Sequence, residues 1–429
     1  MIHSYFQIHP GILQAGRRAE QEIQPAFERI EEIQRYNQEK ILAAFSKAGV
    51  SESHFVATTG YGYHDRGREL LDQLFAQAFG AEDALVRHSF ASGTHTLTVA
   101  LFGILRPGDK MLCVTGSPYD TLQGVIGHRK KSSGSLTDFG IRYEELDLLP
   151  NGMPDLQAIS EKLNDSYRMI YLQRSRGYQL RPSYRTETLG EVIALVRKKA
   201  PHAVILVDNC YGEFVEREEP LAYGADLIAG SLIKNPGGGI APAGGYIAGK
   251  AAYVEQCAYR LTTPATGKEI GASLGQNREL FMGIFHAPHV VGEAMKTAAF
   301  AAALFSGLGY RVTPAALEPR ADIIQTILLE SPEGLVSFCR GIQKGAPIDS
   351  FVTPVPDAMP GYDSEVIMAA GAFTQGGSVE LSADAPLRPP YAAWLQGGLN
   401  FHSGRVGVLL AAEQMRQDGV LKEGNLYHD

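Results

Sequence analysis

The sequence predicts an α/β protein: a large domain with a mostly parallel sheet and helices on both faces, followed by a smaller C-terminal α+β domain. Three observations carry this. Short apolar, strand-like runs alternate with helical patterns between residues 84 and 234, the order expected of a parallel sheet with covering helices. Those runs end on small, polar or reactive residues, as strand ends facing a ligand do in open α/β sheets. The 429-residue chain is also long for one core. The pattern divides it into an N-terminal helical segment at 1–58, a large domain at 59–290 and a small domain at 291–429.

In chain order, Ile23, Phe27, Ile30 and Ile33 recur at spacings of three and four, which gives an amphipathic helix within 13–49, with Pro25 in its first turn or at a break. Thr59 to Arg68 alternates glycines with Tyr61 and Tyr63 and reads as a shaped loop whose phenols and guanidiniums suit an anion. A helix from Glu69 to Phe79 ends at Gly80. Ala84–His88 is a strand, and Ser92-Gly93-Thr94-His95 opens a helix from about Thr96 to Leu105. A strand, a small-residue turn and a helix N-terminus present free N–H groups to one phosphate. The turn is neither GxGxxG nor GxxxxGK[ST], so a dinucleotide or nucleoside triphosphate is disfavoured. Lys110–Val114 is the next strand, and Tyr119 beyond it offers a ring face to a planar ligand. Residues 128–152 read as irregular, with a short strand near Ile141; Met169–Leu172 is a strand releasing Gln173 to Ser175, and a helix spans Glu187 to Lys199. The small domain is expected to hold a long connecting helix near 290–304, strands at 310–312, 323–329, 365–372 and 378–381, a helix at 334–345 and a closing helix at 406–415.

The chemistry concentrates in two further segments. Ala203 to Val207 is an unbroken apolar run, as in strands buried on both faces, and Asp208 ends it. A carboxylate there suits a buried cationic partner. Leu227-Ile228-Ala229 is a second buried strand, with Lys234 just past its end before glycines 237, 238 and 239. Desolvation lowers a lysine's pKa and exposes its nucleophilic amine, which an imine with an aldehyde cofactor needs. Pyridoxal 5'-phosphate satisfies both residues, since its aldehyde takes a lysine and its ring nitrogen stays protonated facing a carboxylate.

Composition narrows the rest. A 45% hydrophobic and 20% charged chain with net charge −8 gives no reason to expect nucleic acid or a membrane as partner. Cys113, Cys210, Cys257 and Cys339 form no CxxC pair, so neither a metal site nor a disulfide framework is expected, and Cys113 and Cys210 read as core residues. No apolar run approaches the roughly 18 residues of a membrane span, and a cytoplasmic protein is expected.

Together, Gly60-Tyr61-Gly62-Tyr63 with Arg68, Ser92 to His95, Val207 to Glu213, Gly230 to Gly239 and Gln396-Gly397-Gly398 resemble the fold-type I pyridoxal phosphate enzymes (PLP-dependent transferase-like), in the cystathionine and methionine lyase group. The resemblance is greatest to the branch called methionine γ-lyase-like or aluminium-resistance proteins. It implies that Lys234 binds the cofactor aldehyde, Asp208 faces the ring nitrogen, Tyr119 stacks on the ring, and Gly93 and Thr94 with Ser231 hold the phosphate. Ser92 and Gln173 complete the cofactor set, and Lys234, Asp208 and Tyr119 are the catalytic candidates. Tyr61, Tyr63 or Arg68 would cross from a neighbouring subunit of a homodimer or homotetramer with shared sites. Ile233 stands where those lyases usually carry Thr or Ser. The implied activity is a carbon–sulfur lyase performing β- or γ-elimination on a sulfur-containing amino acid. Arg388, then Arg405, with Arg68 as a further candidate, would bind the substrate carboxylate. The same groups would serve an aminotransferase or racemase, or a catalytically silent binding protein.

Overall fold

The protein is described here by a computed structural model covering residues 5–128, 132–359 and 364–422; residues 129–131 of the stretch expected to be irregular lie outside it. The chain forms two compact units, one of residues 36–287 and one of residues 1–35 with 288–429. The expected 1–58 segment is thus shared between them. It is two helices, Pro10–Glu22 and Gln24–Ala48, with Pro25 in the first turn of the second.

The unit of residues 36–287 is built on seven strands: β1 (Asp83–Arg87), β2 (Lys110–Cys113), β3 (Arg142–Glu145), β4 (Met169–Gln173), β5 (Val204–Asp208), β6 (Leu227–Ser231) and β7 (Gly245–Gly249). Their spatial order is β1-β7-β6-β5-β4-β2-β3. The run from β6 to β3 is parallel, and β7 is antiparallel to both of its neighbours. Every residue of β4, β5 and β6 is buried, which is why these segments are continuous apolar runs rather than alternating ones. Register aligns the strand ends: Gln173 is opposite Asp208, and Asp208 opposite Ala229. One edge of the sheet therefore carries the reactive residues.

Strand β7 was not expected. Its glycines and alanine lower its strand signal, yet Gly245 is required by packing: a Cβ there would lie 2.0 Å from Thr96 Oγ1 on the helix Gly93–Ile104. That helix packs over the sheet with Leu97, Ala100, Leu101 and Ile104 against Leu85, Leu206, Ala229 and Ile247 in one hydrophobic cluster.

The other unit holds a five-stranded antiparallel sheet of β8 (Arg311–Thr313), β9 (Ile324–Leu328), β10 (Val366–Ala369), β11 (Ser382–Pro386) and β12 (Ala392–Gln396), ordered β10-β11-β12-β9-β8. The strand expected at 378–381 begins at Ser382, and β12 falls where only a tail was expected. The backbone explains the first difference: the Glu380 amide donates to the Gly377 carbonyl in a turn, and the Val379 and Glu380 carbonyls accept from the Gly398 and Leu399 amides in the loop after β12. Its core packs Ile12 and Leu13 with Phe300, Phe305, Phe338 and Leu409. The long helix Asn277–Gly307 and the final helix Phe401–Gln417 extend well beyond their expected bounds.

Candidate active site

A pocket of about 560 Å³, counting its open mouth, lies at the carboxyl edge of the seven-stranded sheet. Gly93, Thr94, Tyr119, Gln173, Asp208 and Lys234 from the sequence reading all line it, joined by Thr121, Ser175, Gly177, Cys210 and Tyr211. These come from the ends of β4, β5 and β6 and from the segments following β1 and β2, so strand order alone assembles them.

Lys234 sits three residues past β6, half-buried, with Nζ 3.9 Å from the centre of the Tyr211 ring. Burial opposes its charge, but Cys210, Tyr211 and Asp208 outweigh burial and raise its pKa above the ordinary lysine value. This reverses the expectation of a lowered pKa. Desolvation was read correctly; the acidic groups folded around the amine were not legible from its flanking residues. The glycines after Lys234 are there for close approach. A Cβ at Gly237 would fall 1.6 Å from the Leu232 carbonyl oxygen.

Asp208 is buried at the end of β5. Its Oδ1 accepts from the Cys210 amide at 3.1 Å and its Oδ2 from the Tyr171 hydroxyl at 3.3 Å. Burial raises its pKa, against the charge of Lys234 and these hydrogen bonds. The loop after it is fixed from behind by Arg174, whose side chain is fully buried. Arg174 Nη1 donates to Asn209 Oδ1 at 2.9 Å and Glu219 Oε2 at 3.2 Å, and Nη2 to Glu216 Oε2 at 2.8 Å. Gly212 leaves the room this needs, since a Cβ there would be 2.5 Å from Arg174 Cδ.

The N-terminus of helix Gly93–Ile104 also lines the pocket, and its first amides lack intrahelical partners as at any helix start. The Thr94 and Thr121 hydroxyls are 2.7 Å apart, and the Ser231 hydroxyl is buried with no hydrogen-bond partner. Gly93 packs over Ser231: a Cβ there would be 3.3 Å from Ser231 Cβ. Ser92 does not line the pocket. Its hydroxyl accepts from the His95 amide at 3.0 Å and caps the helix. Gln173 is likewise committed: Oε1 accepts from the Tyr119 amide at 2.7 Å and Nε2 donates to the Ser175 carbonyl at 2.9 Å. It positions Tyr119, whose ring passes over Gly177, where a Cβ would be 2.9 Å away.

Other expected residues are elsewhere. Tyr61 and Tyr63 stack on each other with centroids 5.5 Å apart, are 71% and 58% exposed, and do not line the pocket of their own chain. Arg68 is buried and donates through Nη1 to the Gly62 and Gly271 carbonyls at 2.8 and 2.6 Å. It therefore holds the 60–63 loop instead of binding substrate in this pocket, and the loop is secured within its own chain. Arg388 and Arg405 belong to the other unit; Arg388 is exposed in the turn between β11 and β12, while the Arg405 guanidinium pairs with Glu20. Cys210 is buried, as expected, and also lines the pocket, two residues past Asp208. Tyr211 was missed as a site residue. Among the described residues no cluster of His, Cys, Asp or Glu could hold a metal, and no helix is long and apolar enough to cross a membrane.

The mixed sheet, with a lysine just past β6 and a carboxylate ending the adjacent β5, defines the fold-type I class of pyridoxal phosphate-dependent folds. The pyridoxal-5'-phosphate-dependent protein YhfS of Escherichia coli shares that fold, at a TM-score of 0.60 and 18% identity over 90% of this chain and 97% of that one. Within the class, the methionine gamma-lyase family profile matches residues 12–416, and the chain belongs to that family. It is similar to the uncharacterized protein YnbB of Bacillus subtilis, with 46% identity over 94% of this chain and 96% of that one. It is also similar to the solved structure of a carbon–sulfur lyase involved in aluminium resistance from Clostridium novyi, with 45% identity, TM-score 0.93, and 96% and 98% of the two chains covered.

Proposed function

We propose that the protein is a pyridoxal 5'-phosphate-dependent carbon–sulfur lyase that performs β- or γ-elimination on a sulfur-containing amino acid. The observation that carries this reading is the convergence on one pocket of Lys234, buried Asp208 and the helix N-terminus at Gly93. The residues fit the cofactor. The unpartnered Ser231 hydroxyl, the Thr94 and Thr121 hydroxyls and the first helix amides suit a phosphate dianion at one end. Asp208 suits a cationic ring nitrogen at the other, and the missing side chain at Gly93 leaves space for the phosphate.

Bound there, pyridoxal 5'-phosphate supplies an electron sink that makes the α-hydrogen of an amino acid acidic. Asp208 would hold the ring nitrogen protonated, and Tyr171 and the Cys210 amide keep its carboxylate in place. Lys234 would hold the cofactor aldehyde, and its amine, at the same place in the pocket, would be the group that takes that proton. The Tyr211 ring under Nζ limits where the amine can move. Tyr119, whose amide is held by Gln173, would cover the cofactor ring and exclude water.

The functional unit we propose is a homodimer or a pair of dimers. The exposed, stacked Tyr61 and Tyr63, fixed on a loop anchored by Arg68, support a second copy using them to complete its own pocket. The test is a keto-acid and sulfide assay over a panel of sulfur amino acids, with borohydride reduction and peptide mapping. Labelling at Lys234 with sulfide release supports the reading; labelling at another lysine refutes the site, and transamination or racemisation without sulfide refutes the reaction.

A further inference from the structure

The loop that follows Asp208 carries two residues in the left-handed backbone region that favours glycine: Tyr211 has φ 70° and Phe214 φ 62°. Such conformations persist only where the surroundings fix them, and they gather at functional sites. Here the neighbours of Tyr211 are pinned from behind. Arg174 Nη1 donates to Asn209 Oδ1 at 2.9 Å and its Nη2 to Glu216 Oε2 at 2.8 Å. The Phe214 amide donates to Glu219 Oε1 at 3.0 Å, and its carbonyl accepts from Asn37 Nδ2 at 3.2 Å. Asn235 Nδ2 donates to the Glu213 carbonyl at 3.0 Å. The loop held in this way presents Tyr211 to the pocket.

What the ring meets there is the Lys234 amine. Nζ stands 3.9 Å from the ring centroid, within the reach over which an aromatic face attracts a cation. That attraction is stronger where water is excluded, and desolvation does oppose the charge of Lys234. The other titratable groups around the amine are Asp208, Cys210 and Glu213, all buried on the same stretch of chain. The ring face differs from them, because its pull on a cation does not require it to lose a proton first.

We propose that Tyr211 is a positioning residue whose ring face stabilises the charged form of the Lys234 amine, making Lys234 the stronger base toward the substrate α-hydrogen. This rests on Lys234 being the cofactor lysine of the proposed lyase. In that step the α C–H bond breaks and an N–H bond forms on Nζ, while the electron pair left on carbon goes to the sink that the cofactor supplies. The amine becomes positive over the ring as it does so. The same attraction works against Lys234 when it must be neutral to take the cofactor aldehyde. Loss of the ring should therefore change the two events in opposite directions.

The test compares full-length wild type, Tyr211→Leu and Tyr211→Phe in two measurements. The first is the pH profile of covalent capture of pyridoxal 5'-phosphate by the chain freed of cofactor, fixed with borohydride and mapped to Lys234. The second is exchange of the alanine α-hydrogen in deuterium oxide by the loaded protein, read by nuclear magnetic resonance. At about pH 7.5, Tyr211→Leu should capture the cofactor about ten-fold faster than wild type and exchange alanine about three-fold more slowly. Tyr211→Phe restores a ring face on the same backbone and should bring both rates back to within about three-fold of wild type. Any other pattern refutes the proposal: both rates falling together marks a structural defect, two unchanged rates show that the ring does nothing to the amine, and Phe matching Leu shows that the ring face is not the cause. Should Tyr211→Leu not fold, as judged by circular dichroism, Tyr211→Met takes its place under the same criteria. Wild-type labelling at another lysine overturns the cofactor site itself and the role of Tyr211 with it; labelling at Lys234 with the wrong pattern in the variants overturns only the role of Tyr211.

Discussion

Replacing Glu213 with Gln should reshape the pH dependence of stability. Glu213 is fully buried five residues after Asp208. Its Oε1 accepts from the Tyr246 hydroxyl at 2.8 Å, and its Oε2 has no partner. It occupies the space left by Gly230, where a Cβ would lie 2.4 Å from Oε1. Burial, with Glu219 adding to it and Tyr246 and Lys234 opposing, raises its pKa from 4.5 to about 8. Because the folded value exceeds the unfolded one, the folded chain keeps a proton that the unfolded chain releases. The stabilisation is therefore complete below about pH 4.5 and is lost as pH rises through about 8. The slope is about 1.4 kcal/mol per pH unit, so wild-type stability relative to Glu213→Gln should fall by about 3 kcal/mol between roughly pH 5.5 and 8. The uncharged amide keeps the shape and does not titrate. Urea unfolding of the two cofactor-free chains at both pH values, at matched concentration, measures the difference. A stability gap constant to within about 0.5 kcal/mol would falsify the view that this carboxyl is neutral in the fold.

Asp208→Asn should lower turnover by on the order of 100-fold or more while leaving the circular dichroism spectrum unchanged; retained turnover with bound cofactor would make Asp208 merely structural. The raised pKa of Lys234 means that its neutral amine is scarce near neutrality. Covalent capture of pyridoxal 5'-phosphate by the cofactor-free chain, fixed with borohydride, should thus quicken with pH by up to about ten-fold per unit, and a flat profile would argue against the charged amine. Gly230→Ala should cost about 1–3 kcal/mol, the usual range for overpacking, because its Cβ would meet Glu213 and the Tyr246 ring at 2.4 and 2.6 Å. An unchanged melting temperature would show that this floor is loosely packed.

By itself the sequence determined the strand framework and the pair of residues at its heart. Strands covered on both faces must be continuous apolar runs, so β4, β5 and β6 stand out, and a carboxylate or a lysine ending such a run is conspicuous. Gly93, Thr94, Tyr119 and Gln173 stood out by the same logic, since each ends or follows a strand. Only the tertiary structure decided what distant segments do to those groups. Gly245 in β7 is explained by Thr96, on a helix some 150 residues away in the chain. Arg68 resembled a ligand-binding residue until Gly271 closed on it. The direction of the Lys234 shift depends on Cys210, Tyr211 and Asp208, which surround the amine only because β5 and β6 are neighbours in the sheet. Local pattern reports which faces of a segment are buried. The charge state of a buried group is set by whatever the fold places beside it, and that depends on contacts between segments far apart in the chain.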